Sequence, residues 1–500
     1  MFPGILRKAS FLAAAGLVEY ALQLVLPVIL VRYLTKSEFG DYRLIWLVAA
    51  TALILFPLCM PQSLFYFLPR AAAGNRPKLV GNVFVSLLVL GGLAALLLVV
   101  LIPALPKSIA DLQRYSPFVE IFVGLWIVGS ILQNLPTADG KAEWQAYAMI
   151  VFAILRTSAL AVLAVVSGDL ESILVIMCGL ATLKIGMAVL YALFAAQEPG
   201  LGFDNQLLRV QIRYSLPFAI AEGLFALRLQ ADQWVVAANF PSTAFALVSI
   251  ASVVTVIGML VRQPLNYALV PNIGSLVFQG NLDGAISLIS KGYLLLGLAL
   301  PPVLGFLILT ADDLVELIYT AEYLGAVPLM RIYLLGQIAT VFAAGHLLLT
   351  FGYGKQAATT GAIALLLSLG ASILGVKLFG LAGAVAGSTI GLVVWEWWAL
   401  HKVAKGLGTS AFGLMRLNDT WKVWLVVAIG LAVAYVACSW LDLSIVSRLV
   451  VKSLIFVIAV LLGLALTNFR QSIISLLISF FRAPGASAAA QSLGGRAGKV

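Results

Sequence analysis

The chain has 500 residues, of which 62% are hydrophobic and 10% charged, with a mean hydropathy of +1.06. A soluble domain is about half apolar and about a quarter charged, so this composition excludes a soluble enzyme, a nucleic-acid-binding domain and a disordered protein. What remains is an all-α polytopic membrane protein, whose net charge of +10 belongs to basic loops on the cytoplasmic side rather than to a nucleic-acid surface.

Apolar runs of ~20 residues recur along the chain, the length a helix needs to cross a bilayer and unlike the alternation of a transmembrane barrel. Spans are predicted at 10–31, 42–67, 81–105, 118–135, 144–166, 172–196, 215–240, 245–269, 293–309, 329–349, 357–378, 381–400, 423–438 and 453–466. Arg7 and Lys8 precede a first run that is long enough to span and has no small-residue cleavage site after it, so it is read as a helix that stays rather than a signal peptide. With the N-terminus inside, Lys and Arg favour the inner segments by roughly two to one, which predicts two cytoplasmic termini. In this layout Arg43 and Arg331, at the outer ends of their spans, are counted with the outer loops, as are Arg448, Lys452 and the acidic stretch Asp312-Asp313-Leu314-Val315-Glu316. Trp395, Trp397 and Trp398 fall at the inner end of the twelfth span, as an aromatic belt would.

A weak internal repeat links the halves. Gln62-x-Leu64-x-Tyr66-x-Leu68 closes the second span and Gln263-x-Leu265-x-Tyr267-x-Leu269 the eighth, 201 residues apart. This predicts two pseudo-symmetric six-helix lobes at 1–200 and 201–405, the arrangement of an alternating-access transporter. Two further helices follow over 406–467, then an interfacial helix and a disordered cytoplasmic tail over 468–500.

No phosphate-binding loop, metal-ligand cluster or nucleophile–base pair is recognisable, and the three cysteines Cys59, Cys178 and Cys438 lie inside apolar runs. An enzyme is not expected, and no cofactor is called for. The chemistry instead lies in charge at membrane depth, which is costly and is paired or faces a wet cavity. Glu19, Arg156, Lys184 and Arg228 lie near the middle of their spans; Glu222, Asp232 and Arg262 lie nearer one face. Glu120 and Glu396 read as ordinary boundary residues. Arg228 and Asp232, four apart, share a helix face and either neutralise each other or line a central cavity. Arg156 has no partner at four-residue spacing, so it pairs with another helix or meets an anionic ligand. Glu19 and Gln23 mark one polar face of the first helix. Pro27 and Pro264 are static kinks or hinges. Gly383, Gly387 and Gly391, spaced by four, let two helices approach closely.

The segment Arg32-Tyr-Leu-Thr-Lys-Ser-Glu38-Phe39-Gly40-Asp-Tyr42 resembles the signature A-R-x-L-G-P-x-E-F/Y-G-x-Y of bacterial polysaccharide repeat-unit flippases of the Wzx type. These belong to the multidrug/oligosaccharidyl-lipid/polysaccharide exporter superfamily. The stretch Phe379-Gly380-Leu-Ala-Gly383-Ala384 is similar to the one that opens that family's twelfth helix. The chain departs from the signature at Thr35-Lys36, where the family prefers Gly-Pro.

The resemblance implies two six-helix lobes around a V-shaped cavity, and a substrate of undecaprenyl-diphosphate-linked oligosaccharide moved from the cytoplasmic to the outer leaflet of the inner membrane. Arg156 and Arg228 are then expected to hold the diphosphate. Glu19, Gln23, Gln62 and Gln263 are expected to meet sugar hydroxyls or an ion, and Glu222 and Asp232 are candidates for H+ or Na+ coupling. Membrane lipids and the polysaccharide polymerase machinery are the implied partners. A cation-coupled multidrug antiporter and a peptidoglycan-precursor flippase of the same superfamily remain open beside this reading.

Overall fold

The computed structural model describes residues 2–466 apart from 73, 349–350 and 440–443. The expected interfacial helix and tail over 468–500 lie outside the described residues, as do the side chains of Arg7 and Lys8. The described residues form helices and short connections, with no strand among them.

The first six spans are built from α1 (Phe2–Tyr33), α2 (Lys36–Leu55) with the short α3 (Met60–Phe67), α4 (Arg76–Ala104), α5 (Phe118–Gly129), α6 (Ala142–Val166) and α7 (Leu170–Leu190). The next six are α8 (Asn205–Leu229) with α9 (Ala231–Asn239), α10 (Ser242–Ser252) with α11 (Thr255–Phe278), α12 (Leu282–Tyr319), α13 (Val327–Gln337) and the two limbs of α14 (Gly354–Gly406). A final pair, α15 (Leu417–Ser439) and α16 (Ile445–Leu466), packs on α12.

Eleven helices among the described residues are long and apolar enough to cross a membrane, and α2 with α3 makes a twelfth, bent by 41°. The expectation of about fourteen exceeds this for two physical reasons. The 48-residue apolar stretch of α14 is two limbs joined at Gly380, where φ +59 and ψ −136 reverse the chain. The α8–α9 pair carries Arg209, Arg213, Glu222, Arg228 and Asp232, so it is too polar to pass a hydropathy test.

The limbs of α14 lie against each other through their small residues. A Cβ on Gly375 would strike the carbonyl of Gly383, one on Gly387 the backbone of Ala371, and Ser372 Oγ donates to Ala384 O at 2.8 Å. The four-residue glycine spacing is therefore used for packing.

Helix pairing in the first half recurs in the second. α1 packs on α6, α4 on α5 and α5 on α7; correspondingly α8 and α9 pack on α14, α12 on α13 and α13 on α14. The halves meet along α2 and α10, which run parallel: Ser37 Oγ lies 3.2 Å from Ser242 Oγ, and Arg43 reaches Ser249.

The signature segment explains itself here. Thr35 caps α2, its side chain accepting from the Glu38 N–H while Glu38 accepts from the Thr35 N–H at 3.0 Å. This capping box replaces the Gly-Pro turn of the family pattern. Gly40 has no Cβ because the main chain of Ser242 occupies that space.

Several boundary expectations are corrected. Arg43 stands inside α2, Arg331 inside α13, Arg448 and Lys452 inside α16, and Asp312, Asp313 and Glu316 inside the last turns of α12. None is a loop residue. Asp313 is fully buried and accepts from Arg448 Nε and Lys452 Nζ, each at 2.5 Å, which ties the terminal helix pair to α12. The Gln263 repeat does not close its helix, because α11 runs on to Phe278.

Candidate substrate cavity

Where the halves face each other, α1, α2, α6, the α8–α9 junction and α10 enclose a cavity of about 340 Å³. Its polar lining includes Gln23, Arg43, Arg156, Gln230, Gln233 and Ser249; Pro27, Tyr42 and Trp46 add apolar and aromatic wall. Two amide-bearing residues sit at the break between α8 and α9, and one of them, Gln230, is held by a 2.6 Å bond from Thr51 Oγ1. Arg43 is positioned by its Nε–H donating to Ser249 Oγ. Arg156 is buried, and among the described residues its Nε has no hydrogen-bond partner and no carboxylate forms an ion pair with it.

A second cavity of about 160 Å³ lies behind Arg156, between α1, α5, α6 and α7. Arg156 is common to both linings. Glu19, Gln133, Gln145, Trp126, Phe152 and Lys184 contribute to the smaller one. Lys184 is 3% exposed, and its Nζ lies 4.2 Å from the centroid of the Trp126 ring and 5.8 Å from that of Phe152. Glu19 accepts from Gln23 Nε2 at 3.2 Å, so the polar face expected on the first helix exists and spans both cavities. Pro27 is buried within an unbroken α1.

The cavities therefore gather Arg43, Arg156 and Lys184 around one carboxylate, Glu19. Each Arg or Lys costs about 2.5–3.5 kcal/mol at the centre of a membrane helix, while a cation–π contact returns only about 0.5–2 kcal/mol. Positive charge is therefore in excess on the walls of these cavities.

Arg228 and Asp232 do not pair. The helix is interrupted at Gln230 between them, and the two side chains take different partners. Arg228 turns toward the second limb of α14: its guanidinium lies 5.3 Å from the centroids of Phe225 and Trp395 and faces Glu396. Glu396 is buried, faces Arg262 as well, and accepts from the Ala344 N–H at 3.2 Å. It is thus the centre of a buried charge cluster rather than a boundary residue, and Trp395, 6% exposed, is part of that cluster rather than of the expected aromatic belt. Asp232 accepts instead from the Tyr333 hydroxyl. Glu120 too is buried, with Oε2 unpartnered among the described residues.

The remaining candidates are scattered. Glu222 is exposed and accepts from Cys59 Sγ at 3.1 Å, Gln62 is exposed on α3, and Gln263 and Pro264 lie along α11. Neither cavity is lined by these residues or by Arg228 and Asp232. Arg43 is the residue the sequence reading missed. The capping box Thr35-x-x-Glu38 was its available signal, because it starts the helix at Lys36 and puts Arg43 two turns inside.

A helical transporter with a basic cavity between its halves is the class these features define. The chain belongs to the polysaccharide biosynthesis protein family, which it matches over residues 5–277. No curated protein matches it in sequence. Among solved structures it is similar to the lipid II flippase MurJ in an inward closed conformation, with TM-score 0.69 at 14% identity over 92% of this chain and 99% of that one. It is similar also to an inward-facing multidrug resistance MATE family transporter of the MOP superfamily, with TM-score 0.63 at 14% identity over 81% and 96%. A MOP superfamily transporter from Pyrococcus furiosus gives TM-score 0.55 at 12% identity over 83% and 96%. The fold is that of multi-pass membrane transporters and flippases.

Proposed function

We propose that the protein is a flippase for undecaprenyl-diphosphate-linked oligosaccharide repeat units, carrying them from the cytoplasmic to the outer leaflet of the bacterial inner membrane for surface polysaccharide synthesis. The observation that carries this reading is the meeting of Arg43 and Arg156 on one cavity between the halves. A diphosphate crossing a low-dielectric core needs fixed cations, and arginine offers planar, paired donors to phosphate oxygens. Gln23, Gln230 and Gln233 supply amide donors and acceptors to sugar hydroxyls on the same wall.

In this reading the lobes 1–200 and 201–405 exchange access, with Pro27 and Pro264 as hinges, and the polyprenyl tail stays in lipid. Glu222 and Asp232 remain the candidates for H+ or Na+ coupling, and both termini lie in the cytoplasm. The polymerase machinery is the partner that takes up the product. A multidrug antiporter would need acidic groups to bind a cationic solute, and Glu19 is the one acid lining either cavity. A lipid-linked peptidoglycan precursor carries the same diphosphate and would meet the same arginines.

The test is a deletion strain complemented with variants. Loss of surface polymer, with lipid-linked repeat units accumulating on the cytoplasmic side, supports the proposal. Arg156→Ala should fail to restore export at normal protein level, and Arg156→Lys should restore part. Normal polysaccharide with sensitivity to cationic drugs would move the assignment to the antiporter, and full export by the Ala variant would remove Arg156 from the site.

A further inference from the structure

We propose that the smaller cavity is a subsite for an acidic sugar, taking the carboxylate of a uronic-acid-type residue that lies next to the diphosphate-linked sugar. This rests on the larger cavity being the seat of the diphosphate, because Arg156 forms the wall common to both.

The argument starts from Lys184. Its stem lies across Gly129 on α5, where a Cβ would come within 3.2 Å of the lysine Cδ, so the glycine makes room for it. The ammonium is thereby held over Trp126. No carboxylate among the described residues forms an ion pair with it; Glu19, which accepts from Gln23, attracts it from a distance, so two cations share this one acid and the cavity keeps an excess of positive charge. Arg156 stands close enough to repel it. Burying two cations at membrane depth is costly, and the contact of Lys184 alone with two aromatic faces offsets only part of that cost. The deficit is met by an anion placed between Lys184 and Arg156.

The shape of the cavity selects the source of that anion. At about 160 Å³, it is near half the ~300 Å³ that begins the range for drug-sized ligands, so it holds one ring rather than a chain. Gln145 is 2% exposed with Oε1 unpartnered, and Gln133 stands on the same wall. An unpartnered buried amide oxygen accepts from a hydroxyl, and a second amide can donate to another. Cations for a carboxylate beside amides for hydroxyls describe an acidic sugar. A neutral sugar would satisfy Gln145 and leave Lys184 unpaired.

The experiment measures equilibrium binding of two synthetic polyprenyl diphosphate disaccharides to the purified full chain in detergent. They differ only in carrying a glucuronosyl or a glucosyl second residue. The wild type should bind the glucuronosyl lipid roughly tenfold more tightly, the worth of one charge-assisted bond. Lys184→Met should remove that preference, weakening the glucuronosyl lipid roughly tenfold and the glucosyl lipid less than about threefold. Lys184→Arg should retain a preference, and Gln145→Leu should weaken both lipids while leaving it in place. Equal binding of the two lipids by the wild type overturns the subsite. So does an equal loss for both in Lys184→Met, which would make Lys184 part of the diphosphate grip. Binding of neither lipid by the wild type overturns the diphosphate reading and the subsite with it, whereas loss of preference alone leaves the former standing.

Discussion

Arg43 on α2 donates from Nε to Ser249 on α10, and the two residues lie 206 apart in the sequence. This bond joins those of Ser37 with Ser242 and of Thr51 with Gln230 across the seam between the halves, and it aims a guanidinium into the cavity.

The two roles of Arg43 separate by substitution. Arg43→Ala should weaken binding of a short polyprenyl diphosphate to the purified protein by roughly tenfold or more, since a hydrogen bond to a charged group contributes about 1.5–3 kcal/mol. Ser249→Ala removes the seam bond and leaves the cation, so it should change binding by less than about threefold. Equal losses would mean that the seam, not the charge, controls the site.

The partners of Arg228 can be decided by double-mutant cycles on thermal unfolding in detergent. Arg228→Met with Glu396→Gln should show a coupling of about 0.5–3 kcal/mol, as expected for opposite charges in one buried cluster. Arg228→Met with Asp232→Asn should be additive within about 0.5 kcal/mol. Coupling in the second cycle but not the first would restore the pairing that sequence spacing suggests.

That contrast also marks what the sequence could carry. Apolar length locates the spans, because each must bury its own backbone bonds in lipid. Arg156, Glu19 and Gln23 stand out as polar groups in such runs, and they line the cavities. Arg228 misleads because spacing by four allows a pairing without requiring it, and the different partners the two side chains take are a tertiary outcome. Lys184 acquires its significance from Trp126 and Gly129, on a helix more than fifty residues away in sequence. Arg43 was legible through the Thr35–Glu38 capping box, a local signal outweighed by a hydropathy boundary.

Asp313 holds the terminal helix pair. Its two oxygens accept from Arg448 and Lys452 in a site where the carboxylate is fully buried. Asp313→Ala leaves Lys452 without its carboxylate and Arg448 with Glu316 alone, 3.5 Å away, and should destabilise the protein by about 3–5 kcal/mol. Lys452→Met leaves Arg448 on the carboxylate and should cost less. An unfolding temperature unchanged by Asp313→Ala would show that apolar packing of α15 and α16 on α12 suffices.

Asp169 caps α7, and the Ser172 N–H, 2.8 Å from its Oδ1, holds its carboxyl below the usual carboxylate range. A depressed folded value places the stabilisation above the unfolded pKa of ~3.9. It is lost as pH falls through the folded value. Asp169→Ala should therefore cost about 1 kcal/mol at neutral pH, with the gap to wild type narrowing below about pH 4. A gap that widens on acidification would exclude this cap as its source.

Gly380 makes the reversal that lets the two limbs of α14 pack. No neighbour lies within 4 Å of a Cβ built there, so substitution meets no clash, only a backbone of φ +59 and ψ −136 that residues with a Cβ avoid. Gly380→Ala should destabilise by about 1–3 kcal/mol. Gly383→Leu acts differently, because the Gly375 carbonyl stands where its side chain begins. It should force the limbs apart and cost more than the change at Gly380. Both are read by thermal unfolding of the purified protein. If Gly380→Ala proved the more damaging, the turn rather than the glycine face would be what fixes the limbs together.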